Sequence, residues 1–330
     1  MKRSYLKRVL QVVVFLSILY TAGCNDNGGS PSGPSDCVSG GVCGKVTGTI
    51  NKAPIPGSTV RIGGATAVTN SNGDYALAGN FSGVTVINVD GPSQFPRQVT
   101  KDLSRSNVAN IDAIERINAF SLQFYRQLVR DAEESFFLRP TNRWEGSEPT
   151  FFIDTRPEIG TGAPIPSSTI DTVRNVIRQS MPVFSNGFIT GSKITVTNNP
   201  PPDLSSGSIV IRFDHTLLQA GAFGVTRIQT IGSRIDAAVT RLVLNPSFPF
   251  DELTSHELGH AVGFFHASAR PSVMVATGSC GCGLFTSDDS VHMKINYSRP
   301  AGNTDIDNDP TDAVTKSLAK REVIEIICRK

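Results

Sequence analysis

The pattern of apolar and polar residues changes its period several times along the 330-residue chain. Between 44 and 105, short runs rich in Val, Ile and Thr, such as GKVTGTI and VTVINV, alternate with turn-forming Pro, Gly and Asn. Short runs at this spacing, separated by turn residues, are typical of antiparallel strands. We predict that 44–105 forms a small all-β sandwich.

Apolar residues then recur at intervals of three and four, which predicts helices. Within 110–135 the apolar stripe consists of Ile114, Ile117, Phe120, Phe124 and Leu128. We therefore predict a helix in a linker at 106–144. The run PSSTIDTVRNVIRQSMPVF has the same period and predicts a second helix, with a serine near its start as the cap.

Strand and helix patterns are mixed in 145–330. PTFFID, KITVTN, GSIVIRF, FGVTRIQTI and AAVTRLVLN predict strands, because they are short and rich in β-branched residues. GLFTSDDSVHMKINY, capped near Ser287, and PTDAVTKSLAKREVIEIICRK predict two further helices. Strands followed by helices in this order indicate an α+β fold.

The N-terminus has the pattern of an export signal. MKRSYLKR is cationic, and the apolar run after it has roughly 15 residues, which is short for a membrane span. We assign 1–23 to a signal peptide. Thr21-Ala22-Gly23-Cys24 resembles the end of a bacterial lipoprotein signal, which implies lipidation of Cys24, a membrane anchor and a location facing the periplasm or exterior. An ordinary secretory signal is the alternative. The Gly-, Ser- and Pro-rich residues of 24–43 predict a flexible tether.

Charge and cysteine content restrict the class of protein. The formal net charge is +2, and four basic residues lie in 1–23, so the remainder is slightly acidic and offers no surface for nucleic acid. An exported chain can form disulfides. Cys37 could pair with Cys43, and Cys280 or Cys282 could pair with Cys328. We expect no bond between cysteines as close as Cys280 and Cys282.

Three of the five histidines lie within SHELGHAVGFFHASARPSVM, at 255–274. His256 and His260 are four residues apart, so a helix places both on one face. Gly263 can end that helix in a left-handed turn, which brings His266 to the same ion. Three imidazoles leave one corner of a tetrahedral Zn²⁺ site open, as in catalytic sites. The carboxylate of Glu257 can take a proton from a zinc-bound water.

HELGHAVGFFH follows the H-E-x-x-H-x-x-G-x-x-H pattern and resembles the metzincin zinc endopeptidases, the matrixin branch most closely. The resemblance implies that His256, His260 and His266 bind zinc and that Glu257 is the general base. It also implies that Met274 supports the site from a Met-containing turn. No PRCGxPD-like segment lies upstream, and Cys43 in GGVCGKV is a poor substitute for one, so the sequence does not lead us to propose thiol latency.

The same resemblance implies a metzincin-like domain at 145–330, with a twisted mixed sheet and packed helices. A protein or peptide substrate would lie along an edge strand above the metal, and we assign this edge to 223–231. The loop after the Met-containing turn would line the pocket beside the scissile bond. In 44–105, PIPGSTV and TNSNGDY resemble the carboxypeptidase regulatory-like domain, which implies a non-catalytic β-sandwich beside a secreted enzyme.

Other interpretations of the sequence stay open. The chain could be a surface-anchored binding or adhesion protein whose metal site does not turn over. The aspartates of DIDNDPTD, at 305–312, could bind Ca²⁺, although a solvated turn is the simpler interpretation. We expect His215 and His292 to be structural or solvated. The oligomeric state is not predicted.

Overall fold

The computed structural model describes residues 37, 41–244, 246–311 and 320–329. The signal peptide, Cys24 and most of the tether lie outside these residues. The described chain contains four α-helices and three β-sheets, so the α+β prediction is confirmed. None of the helices within these ranges is long and apolar enough to cross a membrane.

Seven strands between residues 42 and 113 form two small sheets. They are β1 (Val42–Gly48), β2 (Thr59–Ile62), β3 (Ala65–Val68), β4 (Asp74–Leu77), β5 (Val84–Asp90), β6 (Arg97–Asp102) and β7 (Ile111–Ala113). One sheet has the order β4-β1-β7 and the other β3-β2-β5-β6. Both contribute to one apolar core, which includes Val46, Val60, Ile87 and Ile111. The short strands predicted here are present.

The third sheet, which has both parallel and antiparallel strands, carries the strands of the remaining described chain. They are β8 (Arg143–Trp144), β9 (Thr150–Asp154), β10 (Ile194–Thr197), β11 (Ser208–Phe213), β12 (Ala222–Ile231), β13 (Arg234–Leu242) and β14 (Arg321–Arg329). Their order is β10-β9-β11-β13-β12-β14, and β8 pairs with β13. Strands β9, β10, β11 and β13 are parallel, and β12 is antiparallel to β13. Nearly all of β11 is buried, as its continuous apolar sequence requires.

The C-terminal strand corrects two predictions. The segment PTDAVTKSLAKREVIEIICRK was predicted to be a helix, but its described part, β14, is a strand. Its exposed and buried residues alternate, and such a period of two belongs to a strand. Strand β14 pairs along the outer side of β12, so the predicted substrate edge at 223–231 is covered by the chain itself.

Four helices pack around the mixed sheet. They are α1 (Leu122–Arg130), α2 (Ser167–Phe184), α3 (Phe250–Ala261) and α4 (Ser287–Tyr297). Helix α3 packs on β12, β13 and α2, while α4 packs on α1 and α2. Helix α3 therefore lies against the antiparallel strands β12 and β13, and its apolar side chains are part of the core between the mixed sheet and the helices.

The helix boundaries differ in part from the predicted ones. The stripe within 110–135 yields a strand, β7, and only a short helix, because Ser121 caps α1 by accepting a hydrogen bond from Phe124 N. Helix α2 is confirmed, but Pro166 holds its N-cap position and no side chain caps it. Helix α4 is confirmed with Thr286 as its cap, in a capping box with Asp289.

The cysteines pair only partly as expected. Cys37 and Cys43 form a disulfide, as predicted. Cys280 bonds to Cys282 rather than to Cys328, so that prediction is wrong. Cys328 is a buried free thiol on β14. Cys328 lies beside His256 and Glu257 of α3, whereas Cys280 and Cys282 lie beside Glu252 at the start of that helix.

Candidate metal centre

Helix α3 positions three of the predicted site residues. His256, Glu257 and His260 each have at most 4% of their surface exposed. Because they are four residues apart, the rings of His256 and His260 lie on one side of the helix, with centroids 4.6 Å apart. Burying a polar side chain is costly unless it has a hydrogen-bond partner or binds a metal, so each of these side chains needs such a partner.

The turn after α3 brings in the third histidine. Gly263 has a φ of +103°, and a Cβ at this position would overlap the carbonyl oxygen of Asn142. Only glycine fits this backbone comfortably. The chain therefore reverses, and the ring of His266 lies 4.8 Å from that of His260 and 5.3 Å from that of His256.

Each of the three rings is held through its Nδ1 atom. His256 Nδ1 lies 2.7 Å from Val273 O, and His260 Nδ1 lies 2.7 Å from Phe264 O. Carbonyl oxygens only accept hydrogen bonds, so both Nδ1 atoms carry the proton. His266 Nδ1 lies 2.6 Å from Glu134 Oε1, which fixes the same tautomer. All three Nε2 atoms are thus unprotonated, and each carries a lone pair that can bind a cation.

The free Nε2 atoms converge on a single point. Those of His256 and His260 are 2.9 Å apart, and His266 Nε2 has no hydrogen-bond partner in the described chain. Burial lowers the pKa of His256 to about 3 and that of His260 well below its usual value, so both rings are neutral. Neutral imidazoles whose lone pairs face one another fit a shared cation. The three histidines form a group that could hold a metal ion.

Glu257 lies beside this group. Its Oε2 accepts a hydrogen bond of 2.6 Å from Thr226 Oγ1 on β12, while Oε1 has no partner among the described residues. Burial raises the pKa of Glu257 to about 8. Gly224 leaves room for the carboxylate, because a Cβ there would overlap Oε1. One oxygen of Glu257 is therefore positioned and the other is free.

The segment predicted to form a Met-containing turn lies against α3. Met274 is fully buried, and a side chain at Gly259 would overlap its sulfur. Asp289 on α4 fixes the turn by accepting hydrogen bonds from Ser272 Oγ at 2.5 Å and Val273 N at 3.0 Å. The carbonyl oxygen of Val273 is thereby placed to accept the hydrogen bond from His256 Nδ1.

The following loop, which we predicted to line a pocket, is also tied to α3. Glu252 Oε1 accepts hydrogen bonds from Cys280 N at 2.7 Å and from Gly281 N at 3.2 Å. The disulfide between Cys280 and Cys282 closes the tip of the loop. Ser255 Oγ of α3 also donates a hydrogen bond of 2.6 Å to Leu284 O, so two side chains of the helix hold the loop.

Sequence reasoning did not find Glu134, Thr226 or Asp289 as parts of the site. Glu134 is separated from His266 by 132 residues, and Thr226 from Glu257 by 31. No local spacing rule connects such pairs. Asp289 gave a weak signal, because an acidic residue three positions after Thr286 is typical of a helix cap rather than of a metal site.

The remaining candidate residues have other roles. Asp305 pairs with Arg126, and Asp307 and Asp309 pair with arginines as well, so the described part of 305–312 gives the calcium prediction no support. His215 is exposed at the start of a 3₁₀ turn. His292 is buried, and its Nε2 accepts a hydrogen bond of 2.9 Å from Ser121 N.

The fold and the site together define an α+β protein with a three-histidine group that could hold a metal ion. No family model matches the chain, and no curated protein matches it. A chain of a type II cohesin–X-dockerin complex from Acetivibrio cellulolyticus is similar over 22% of the present chain, at 24% identity and a TM-score of 0.18. The present chain spans 51% of that chain. At this TM-score the likeness carries no argument.

Proposed function

We propose that the chain is a zinc-dependent endopeptidase of the metzincin type. The observation that carries the proposal is the convergence of three Nε2 lone pairs, each fixed by an Nδ1 hydrogen bond, beside a carboxylate with one free oxygen. Three histidine ligands with a fourth position left for water are the ligand set of catalytic zinc.

Zinc is the metal that we propose for these ligands. Imidazole nitrogen binds Zn²⁺, Cu²⁺ and Ni²⁺, whereas Ca²⁺ and Mg²⁺ prefer oxygen ligands. The hydrogen bond from His266 Nδ1 to Glu134 Oε1 is of the carboxylate–histidine kind that orients zinc ligands. Metal content measured after purification without added metal tests the assignment, and a metal other than zinc would contradict it.

Glu257 carries the proton in the proposed reaction. When bound, Zn²⁺ would lower the pKa of a water to about 7 and polarise the peptide carbonyl. A cation nearby also lowers the pKa of Glu257 from its raised value, so the carboxylate is ionised near neutral pH. Oε1 then accepts a proton from the attacking water and returns it to the leaving amine, while Thr226 holds Oε2 in place.

The most direct test removes this proton carrier. We expect Glu257→Gln to retain zinc and fold but to cleave denatured proteins roughly 100-fold more slowly or worse, because general acid–base catalysis contributes about 10²–10⁴-fold. New N-termini in a denatured proteome, mapped with and without chelator, measure the cleavage. Asp251→Asn is the matched control, since Asp251 is acidic, exposed and on the same helix. Cleavage that persists in Glu257→Gln or in chelator would contradict the proposal.

The N-terminal part of the chain fits a protein held at the cell envelope. We propose that Cys24 is lipidated, that the part of the predicted tether before β1 separates the folded part from the membrane, and that the sandwich within 44–105 is a non-catalytic module. Incorporation of labelled fatty acid in cells, compared between wild type and Cys24→Ala, tests this. Equal labelling of the two would rule out Cys24 as the anchor.

A further inference from the structure

The C-terminal strand lies along the edge of the sheet that is beside the metal centre. Strand β14 is antiparallel to β12 and pairs with it along its whole length, from Ile231 opposite Arg321 to Ala222 opposite Arg329. The outer edge of β12 is therefore already hydrogen-bonded. A peptide that adds to a sheet edge needs the same backbone groups.

Cys328 on this strand is directed at the site. It pairs with Gly224, and directly opposed residues of an antiparallel pair lie on the same face. A Cβ at Gly224 would overlap Glu257 Oε1, so this face is the one against α3. Ligand atoms of His256, Glu257 and Cys328 all lie within 4.8 Å of one another.

The whole centre is closed to solvent in this arrangement. The three histidines have between 0% and 4% of their surface exposed, Glu257 has 0%, and Cys328 has 1%. A site that cleaves peptides must admit both water and a chain. The described form therefore leaves no opening through which a peptide could reach these residues.

We propose that Cys328 is a further metal ligand and that β14 is a built-in strand which blocks the site. This inference rests on the proposed function, because it identifies what occupies the fourth position of the same centre. Cys328 would supply a thiolate, a ligand that zinc favours, from its place beside His256 in the neighbouring group of ligand atoms. When the sulfur–metal bond forms, the thiol proton is released to the buffer.

The ordinary alternative is that Cys328 is only a core residue. A buried free cysteine often behaves as a small apolar side chain, and Ile324 and Ile326 of the same strand are buried in that way. The two interpretations differ in whether the sulfur responds to metal. They also differ in whether removal of the sulfur, without removal of the strand, alters the metal's spectrum.

Cobalt substitution of the full chain without its signal peptide separates them. We expect the Co²⁺ protein to show a sulfur-to-cobalt charge-transfer band that Cys328→Ser lacks and the control Ile326→Val keeps. In the unsubstituted protein, we expect Cys328 to react with a thiol reagent roughly tenfold or more faster after chelation. A wild-type spectrum without the band, or equal thiol reactivity with and without metal, would overturn the proposal.

Peptide cleavage distinguishes failure of this inference from failure of the peptidase assignment. We expect Cys328→Ser to cleave denatured proteins roughly tenfold or more faster than wild type, and Glu257→Gln added to it to remove the gain. Chelator-sensitive cleavage that is equal in wild type and Cys328→Ser would leave the peptidase standing and overturn the proposal that the Cys328 sulfur holds β14 over the site. A band that depends on Cys328, with no cleavage by either protein, would establish the ligand and remove the peptidase.

Discussion

At the scale of single residues, the orientation of His266 depends on a side chain far away in sequence. Glu134 accepts the hydrogen bond from His266 Nδ1 although about half of the Glu134 side chain is exposed. We expect Glu134→Ala to lower zinc affinity roughly 10–100-fold, because such partners fix the tautomer and ring angle of the ligand. Competition with a chromophoric chelator measures the affinity.

The neighbouring acid provides the control for this prediction. Glu133 bonds to Ser268 and Gln127 instead of to a histidine. Glu133→Ala should therefore leave zinc affinity within about threefold of wild type while removing the same charge one position away. If both variants lose affinity equally, the effect comes from the general negative charge of the loop and not from the orientation of His266.

The residues that could be predicted are those whose relation is local. His256, His260 and Glu257 follow from a spacing on one helix, and Gly263 with His266 extends the same short stretch. Glu134 and Thr226 could not be found in this way, because the fold alone brings them to the site. Cys328 illustrates the same limit, since the cysteine content of an exported chain suggested a disulfide to Cys280 or Cys282, whereas its strand places it beside Glu257.

At the scale of elements, α3 packs so closely against the turn that carries Met274 that position 259 has no room for a Cβ atom. An alanine in a helix interior is normally favoured over glycine by about 0.5–1 kcal/mol. At Gly259, however, a Cβ would overlap Met274 Sδ and lie 3.0 Å from its Cε. We expect Gly259→Ala to lower the free energy of unfolding of the metal-free protein by about 1–3 kcal/mol. Urea denaturation measures it.

A double-mutant cycle shows whether this contact is the cause. Met274→Ala should itself cost about 2–5 kcal/mol, because Met274 is fully buried. In that background the added Gly259→Ala should cost little, since the overlapping sulfur is gone. The same penalty in both backgrounds would place the strain elsewhere, for example against Phe184, whose ring lies 3.7 Å from that Cβ position.

The helices and strands were predictable where the apolar residues kept one regular spacing over the full length of a segment. Helix α2 keeps its apolar stripe for 18 residues and was found, as were β12 and β13. The segment around α1 failed because its apolar residues belong partly to β7 and partly to a helix that starts only after Ser121. The prediction failed at β14 because it extended one helix over the whole segment, although Ile324, Ile326 and Cys328 follow the period of two of a strand. Only the pairing of β14 with β12 could not be inferred locally.

At the scale of the whole molecule, the two groups of sheets are joined through buried charges. Arg299, which follows α4, is fully buried and contacts Asp112 at 2.6 Å, Asp307 at 2.7 Å and Thr49 at 2.8 Å. Arg97 of the sandwich in turn pairs with Asp309 at 2.6 Å. Arginines of both parts of the chain therefore balance the negative charge of the aspartates that the sequence suggested as a calcium site.

This network leads to a prediction about the stability of the entire fold. Arg299→Met keeps the length and apolar volume of the side chain but leaves Asp307 and Asp112 short of a partner. Removing one member of a buried ion pair costs about 3–5 kcal/mol. We expect a loss of about 3 kcal/mol in the free energy of unfolding, at the low end of that range, because Arg97 still lies 3.1 Å from Asp307. Arg126→Met is the control, since its pair with Asp305 is partly exposed and worth about 1 kcal/mol or less. If urea denaturation gives equal losses for the two variants, the buried charges do not hold the two parts together.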